Sequence, residues 1–318
     1  MTTRQETPST APSGTVATTP SHGTAAPVAR RGPTARLRDR KVAGWLLLLP
    51  LILVNLFVVL VPSVFSVWYS FTDWTGISDR AGFVGLDNYR NLLGDPEFVQ
   101  GLVHNILWTL FFLIVPMAMG LFGAYALSRI RRFRLLLRTL YFIPYIVASV
   151  VNASIWRSIL DPQTGIGNLL HINPLGDPQL ALWSVEFVNN WAWWGFLVVV
   201  FLAAMQGVDP VLYEAATVDG AGSVRQFFAV TLPAIRPTFA FLGLMTIIWS
   251  FLAFDYVYIL TKGGPAGSTD LLSTVLYRDA FSNLQGGYAS AMGVVMALIS
   301  GVVVAVYLVV RKVRKWET

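Results

Sequence analysis

Long hydrophobic stretches alternate with shorter polar segments from residue 44 onward. An α-helix needs about 20 residues to cross the ~30 Å hydrocarbon core of a membrane, and each stretch reaches or approaches that length. The pattern predicts six transmembrane helices, at about residues 44–67, 102–128, 138–160, 189–205, 238–260 and 289–310. The predicted fold class is therefore an all-α membrane protein, with a six-helix transmembrane domain over residues 42–315.

The first 41 residues are rich in Thr, Pro, Ser, Ala and Gly and contain almost no large apolar side chain. Such a segment cannot bury enough surface to offset its chain entropy, so we expect residues 1–41 to form a disordered tail. A basic run from Arg30 to Lys41 ends this tail. The apolar stretch that follows is too long for a signal-peptide core and lacks a cleavage site, so it is expected to be a retained transmembrane helix.

Lysine and arginine are concentrated in three places: the basic run, the segment 129–138, and the residues after the last apolar stretch. Positively charged residues mark the cytoplasmic side of a membrane protein, and six spans return the chain to its starting side. We therefore expect both termini to be cytoplasmic in a multi-pass protein of the cell membrane, surrounded by lipids. The same asymmetry explains the net charge of +6, so nucleic acid is not expected as a partner.

Composition argues against several classes of function. Of the 318 residues, 55% are hydrophobic and 13% charged, against about 25% charged in a soluble domain, and the mean hydropathy is +0.59. The chain has no Cys, which excludes disulfides and thiolate chemistry, and its three His residues are far apart in sequence. It also lacks the G-x-x-x-x-G-K-[ST] phosphate loop. ATP hydrolysis and a cofactor of its own are therefore not expected.

Residues 206–237, between the fourth and fifth spans, form a predicted cytoplasmic helix–turn–helix. Asp209 suits a helix N-cap and Pro210 the first helical position. Gly220 permits a tight break, and Pro233 is expected to end the second short helix.

The spacing within this loop resembles the EAA loop of ABC importer permeases. Glu-Ala-Ala is followed after three residues by Gly and then by Leu-Pro, and Val230 stands where Ile is usual. Two further segments, 83–89 and 254–265, are similar to the carbohydrate-importing branch of that family, so the resemblance covers about residues 42–315. The matched loop positions are Glu214, Ala215, Ala216, Asp219, Gly220, Ala221, Leu232 and Pro233.

The resemblance implies a type I ABC importer permease fold and a division of labour among subunits. A second homologous permease would complete the pore, and an ATPase dimer carrying ATP and Mg would dock on the loop. The Glu214 position would meet a cation on the ATPase. A periplasmic or extracellular binding protein would deliver a sugar.

Polar side chains inside a span are costly unless they face a partner or a water-filled cavity. The polar residues within the predicted spans of this chain include Asn152, Asn190 and Asp255. Similarity to the maltose-type permease implies that seven positions of this chain contact sugar. At one of them, Trp193, the maltose-type permease has a small residue. These positions are Asn189, Trp193, Phe196, Thr246, Trp249, Ser250 and Ala253.

Three alternatives remain open at this point. An ABC permease for a polyol or a glycerol-phosphate-like solute would keep the loop, but a phosphorylated cargo should need basic residues within the spans, where none lies at mid-span. A membrane-embedded enzyme would need clustered acids, His or Cys near a membrane face. An ion-coupled secondary transporter would need a titratable relay in its spans, and Asp255 is the only acidic residue suited to this role in the predicted spans.

Overall fold

The computed structural model describes the backbone of residues 33–130 and 132–313, and side chains from residue 44 onward. The described part of the chain is helical, and its β structure is limited to one isolated bridge, between Thr72 and Phe83. The helices are α1 (Pro33–Asn55), α2 (Val61–Tyr69), α3 (Asp87–Gly94), α4 (Pro96–Arg129), α5 (Arg134–Ile146), α6 (Ser149–Ile159), α7 (Ile166–Leu170), α8 (Ala181–Gln206), α9 (Pro210–Val218), α10 (Ser223–Gln226), α11 (Leu232–Ala234), α12 (Arg236–Leu252), α13 (Asp255–Leu260), α14 (Leu272–Phe281) and α15 (Gly286–Val313).

The described part of the chain divides into two units, with the boundary after Val58. In the first unit, α1 is already helical from Pro33, whereas the sequence placed the end of a disordered tail at residue 41. Residues 1–32 lie outside the described part. The apolar side chains of α1 are exposed, Leu47 to 82%, as expected for a helix that faces lipid.

Five helical segments are long and apolar enough to cross a membrane. They are Gly44–Tyr69, Pro96–Arg129, Ala181–Gln206, Arg236–Leu260 and Gly286–Val313. A sixth span exists only if α5 and α6 are counted together, because the two helices meet at an angle of 93°. The all-helical membrane fold is thus confirmed with five or six spans, while the cytoplasmic position of the termini stays a prediction.

Two predicted spans are interrupted where the sequence suggested continuous helices. The helical backbone is lost at Val147 and Ala148, where ψ is 130° and 138°. Pro144, just before this break, has no N–H to donate to the preceding turn, which weakens the helix there. The fifth span breaks at Ala253, where ψ is 121°. Hydropathy alone does not detect such breaks, because apolar residues continue through them.

The fourth span begins at Ala181 rather than near residue 189. Its first three turns contain Glu186 and Asn190, which lower the local hydropathy. Both side chains are buried within the protein, Glu186 to 0% exposure. A helix that is enclosed by other helices can carry polar residues that a lipid-facing helix cannot, so hydropathy placed the start too late.

Helix α8 is the centre of the second unit. It packs against α4, α5, α6, α12 and α13. A Cβ on Gly120 of α4 would lie 2.5 Å from the Cβ of Leu197, so only glycine permits the observed approach of α4 to α8. Fully buried residues on both helices, including Ala124, Leu197 and Phe201, form the core next to this contact. These packed helices position the cavity and the loop described below.

Candidate functional site

A cavity of about 280 Å³ lies among α4, α8 and α12, at the break that precedes α13. Six of the seven positions predicted to contact sugar line it: Asn189, Trp193, Thr246, Trp249, Ser250 and Ala253. They come together because α8 and α12 each present residues one helical turn apart to the same space. The structure thus places residues from two distant parts of the sequence around one cavity.

Aromatic rings form one wall of this cavity. The rings of Trp193 and Trp249 meet edge to face, with centroids 4.4 Å apart and an interplanar angle of 80°. Phe196, the seventh predicted position, does not line the cavity; it packs behind this pair, 5.2 Å from Trp193. Tyr145 of α5 stacks on Phe196 at 4.9 Å. Phe196 and Tyr145 therefore support the wall from behind and hold the two tryptophans in place.

Two polar atoms at this cavity are buried without a hydrogen-bond partner among the described residues. They are the indole Nε1 of Trp193 and the hydroxyl Oγ1 of Thr246. The Ser250 hydroxyl, by contrast, donates to the Thr246 carbonyl at 2.8 Å. Buried polar groups are nearly always paired, so unpaired ones that border a cavity point to a partner from outside the chain.

Sequence reasoning named Asp255 at the start of α13, which does line the cavity, but it missed α4 and the other α13 residue discussed here, Tyr256. Trp108 and Phe112 stack at 5.2 Å and line the cavity, as does Tyr256. Their spacing of four residues on α4 was visible in the sequence, but it is equally typical of an ordinary buried helix face. Asn152, predicted from its place within a span, does not line the cavity and donates instead to the Tyr256 hydroxyl at 3.1 Å.

The two helix breaks are joined beside the cavity. Helices α6 and α13 each begin directly after a break, and they pack against each other. The Ser149 hydroxyl donates to Asp255 Oδ2 at 2.6 Å, next to the first turns of both helices. Asp255 also lines the cavity. The pair α6–α13 is therefore tied together at the cavity's edge by a charge-assisted hydrogen bond.

Residues 206–237, hereafter the motif loop, fold as a helix, a turn and a second helical segment. Asp209 caps α9 by accepting from the Val211 N–H at 2.9 Å, and Pro210 occupies the first turn, as predicted. Gly220 has φ of 75°, a conformation that favours glycine. Pro233 does not end the second segment. A wide π turn over Phe227–Thr231 precedes the proline, and the helix continues to Ala234.

The predicted coupling positions present an open surface. Glu214, Ala215, Asp219 and Gly220 are exposed, whereas Ala216, Ala221, Leu232 and Pro233 are half-buried. Large apolar side chains are exposed beside them, Val218 to 89% and Val224 to 71%. An apolar face next to small residues is typical of a protein–protein contact.

Hydrogen bonds hold the motif loop to the helix bundle. The Tyr125 hydroxyl of α4 donates to the Ser223 carbonyl at 2.8 Å. Within the loop, Tyr213 and Thr231 share a hydrogen bond of 2.9 Å between their hydroxyls. The motif loop is therefore attached to α4 through the bond from Tyr125 to Ser223.

The opposite end of α4 is clamped by charged residues. The Arg278 guanidinium contacts Asp270 at 2.9 Å and Glu97 at 2.8 Å. Burial raises the pKa of the neighbouring Asp279 carboxyl, and a hydrogen bond from Asn283 opposes that rise. Among the described residues, no group of three or more His, Asp or Glu could hold a metal ion.

Comparison with known proteins assigns the chain to a family. Residues 117–315 match the family model described as binding-protein-dependent transport system inner membrane component. A probable ABC transporter permease protein of Bacillus subtilis is 34% identical over 275 residues, which cover 83% of this chain and 94% of that protein. A diacetylchitobiose uptake system permease protein of Streptomyces coelicolor is 34% identical over 278 residues, covering 80% and 78%. An sn-glycerol-3-phosphate transport system permease protein of Pectobacterium atrosepticum is 30% identical over 269 residues, covering 81% and 90%.

A solved structure shares the fold. In the crystal structure of a bacterial alginate ABC transporter in complex with an alginate pentasaccharide-bound periplasmic protein, one chain matches with a TM-score of 0.79 and 24% identity. The match covers 89% of this chain and 98% of that chain. Together with its apolar helices, these similarities identify a multi-pass transport component of the cell membrane. The chain belongs to the family of binding-protein-dependent transport system inner membrane components, the permeases of ABC importers.

Proposed function

We propose that this chain is the permease subunit of an ATP-driven importer for a sugar or oligosaccharide. The observation that carries the proposal is the cavity in which Trp193 and Trp249 stand beside the unpartnered Thr246 hydroxyl. Sugars combine apolar C–H faces, which stack on aromatic rings, with hydroxyl groups that need hydrogen-bond partners. A cavity with both features in one place suits such a solute.

The charge around the cavity favours a neutral solute over a phosphorylated one. Asp255 is the single charged residue among those that line it in this chain, and it is an acid. A phosphate would need a cation or a cluster of donors there. The similarity to the diacetylchitobiose permease supports a sugar. The similarity to the glycerol-phosphate permease keeps that class of solute as the second candidate.

The energy for transport would come from another subunit. We expect the motif loop to dock an ATPase that binds ATP and Mg, with Glu214 meeting a cation on it and the exposed apolar residues, such as Val218, packed against it. Closure of an ATPase dimer would then move the loop and α4 as rigid bodies. A second homologous permease would complete the pore, a binding protein would deliver the solute, and both termini would be cytoplasmic, with six spans.

A pull-down in mild detergent tests the assembly. The tagged chain, expressed in its native cells, should co-purify with a second permease and an ATPase that contains a phosphate loop. Recovery of the chain alone, folded and monodisperse, would refute the proposed assembly.

Trp249→Ala tests the cavity separately. Loss of one aromatic face should raise the sugar concentration for half-maximal uptake about tenfold, from roughly 1.4 kcal/mol of lost stacking and burial. Recovery of the ATPase in the pull-down should not change. Trp68→Ala, which removes an exposed tryptophan away from the cavity, is the control. Unchanged uptake by Trp249→Ala at low sugar concentration would assign Trp249 to helix packing.

A further inference from the structure

A second cleft, separate from the cavity, lies where α5 begins and α8 ends. Its volume is about 390 Å³, and its lining is Phe133, Arg134, Leu135, Arg138, Leu202 and Gln206. We call it the arginine cleft. It stands at the ends of two membrane-length helices, because α4 ends at Arg129 and α8 ends at Gln206. The cleft is therefore at the level where a membrane meets water.

The lining of the arginine cleft, as far as the structure describes it, contains two arginines and no acidic residue. The Arg134 guanidinium donates to the Ile130 carbonyl at 2.8 Å and the Ser128 carbonyl at 3.0 Å, and these bonds fix its position. Arg138 is exposed and forms no hydrogen bond or ion pair within the described part of the chain. No Asp or Glu occurs in the sequence between Glu97 and Asp161. An anion from outside this segment is needed to balance the two arginines.

Apolar side chains frame the same two guanidinium groups. Phe133 is 66% exposed and Leu135 is 76% exposed, and buried Leu202 lies at the base of the cleft. Exposure of the Phe133 and Leu135 side chains to water would cost free energy. At a membrane interface they can pack against acyl chains, while the guanidinium groups reach the headgroups.

We propose that the arginine cleft binds an anionic phospholipid, whose headgroup phosphate contacts Arg134 and Arg138 and whose acyl chains cover Phe133 and Leu135. Guanidinium groups bind phosphate oxygens through paired hydrogen bonds, and basic pockets between spans at the end of a membrane helix suit anionic headgroups. A free phosphate would use the arginines but would leave the apolar frame exposed. A neutral lipid would leave the charge less well balanced.

The position of this cleft connects it to the motif loop. Arg134 also lines an adjoining cleft together with Tyr213 and Gln226 of that loop. Next to it, Arg129 donates to the Tyr125 hydroxyl at 2.8 Å, and Tyr125 in turn donates to Ser223 of the loop. A lipid held at Arg134 would therefore stabilise the bundle where the motif loop is attached.

The test compares lipid retention by native mass spectrometry. The transporter, purified with whatever subunits accompany the chain, is incubated with phosphatidylglycerol or phosphatidylcholine. We expect the wild type to retain phosphatidylglycerol preferentially, and each guanidinium to contribute about fivefold to its affinity. Arg138→Gln should weaken retention about fivefold, and the double variant Arg134→Gln/Arg138→Gln about 25-fold. Arg90→Gln, an exposed arginine on α3, should have no effect.

Three outcomes would overturn the proposal. The first is equal retention of the two lipids by the wild type, and the second is wild-type retention by Arg138→Gln. Since Arg138 forms no hydrogen bond or ion pair with any residue that the structure describes, this variant should fold normally, which size-exclusion chromatography would check. The third is complete displacement of the lipid by inorganic phosphate together with unchanged retention of phosphatidylglycerol by Leu135→Ser. That combination would show that the site recognises the phosphate group and not the acyl chains. Loss of retention in Leu135→Ser supports a lipid.

Discussion

Replacement of Arg278 by Gln should destabilise the protein more than replacement of any exposed arginine. Arg278 joins the segment before α14 to the first turn of α4, through bonds to Asp270 and Glu97. The Asp270 side chain is only 8% exposed, while that of Arg278 is 32% exposed and that of Glu97 is 62% exposed. The variant would leave the Asp270 carboxylate buried without a cation, with the Thr274 hydroxyl as its remaining side-chain donor.

The magnitude follows from this burial. Removal of one partner from a fully buried ion pair costs about 3–5 kcal/mol. Because a third of the Arg278 side chain is solvated, we reduce the expected loss to about 2–3 kcal/mol. That loss corresponds to a fall in melting temperature of roughly 5–10 °C for a domain of this size. The contact between Arg278 and Glu97 is too exposed to add much to this loss of stability.

Thermal unfolding of the purified protein in mild detergent, followed by circular dichroism, measures this effect. Arg90→Gln is the matched control, because Arg90 pairs with Asp87 at 3.3 Å with both side chains exposed. It should lower the melting temperature by about 3 °C or less, since exposed pairs contribute about 0.2–1 kcal/mol. Asp270→Asn combined with Arg278→Gln should recover part of the loss. Equal melting temperatures for the two single variants would refute the reasoning.

Two further predictions concern the motif loop and the joined helix breaks. Glu214→Lys should abolish ATP-driven uptake while leaving the melting temperature unchanged, because Glu214 is exposed; uptake at the wild-type rate would contradict the proposed docking role. Asp255→Asn should increase amide hydrogen exchange in α6 severalfold, because the bond from Ser149 loses its charge assistance, worth about 1 kcal/mol. Ser149→Ala should have a similar effect and the double variant no further effect, whereas additive effects would show that the two residues act independently.

The sequence determined which parts of this chain enter the membrane and which family it resembles. Long apolar stretches are costly to expose to water, so the helical membrane fold followed from their length and number. The helix start and the turn of the motif loop could also be predicted from the sequence, because Asp209 and Pro210 begin a helix and Gly220 turns the chain through local preferences. The family resemblance also selected six positions that line the cavity.

Tertiary structure decided where the spans break and which polar residues the spans can carry. Pro144 weakens α5 near the first break for a local reason, whereas the 93° angle between α5 and α6 and the break at Ala253 accompany the packing of α6 against α13, which are distant in sequence. Glu186 lies inside a span because other helices enclose it. The arginine cleft likewise arises only when the start of α5 meets the end of α8. Contacts between distant segments depend on how the helices pack together, and a single sequence contains only local preferences.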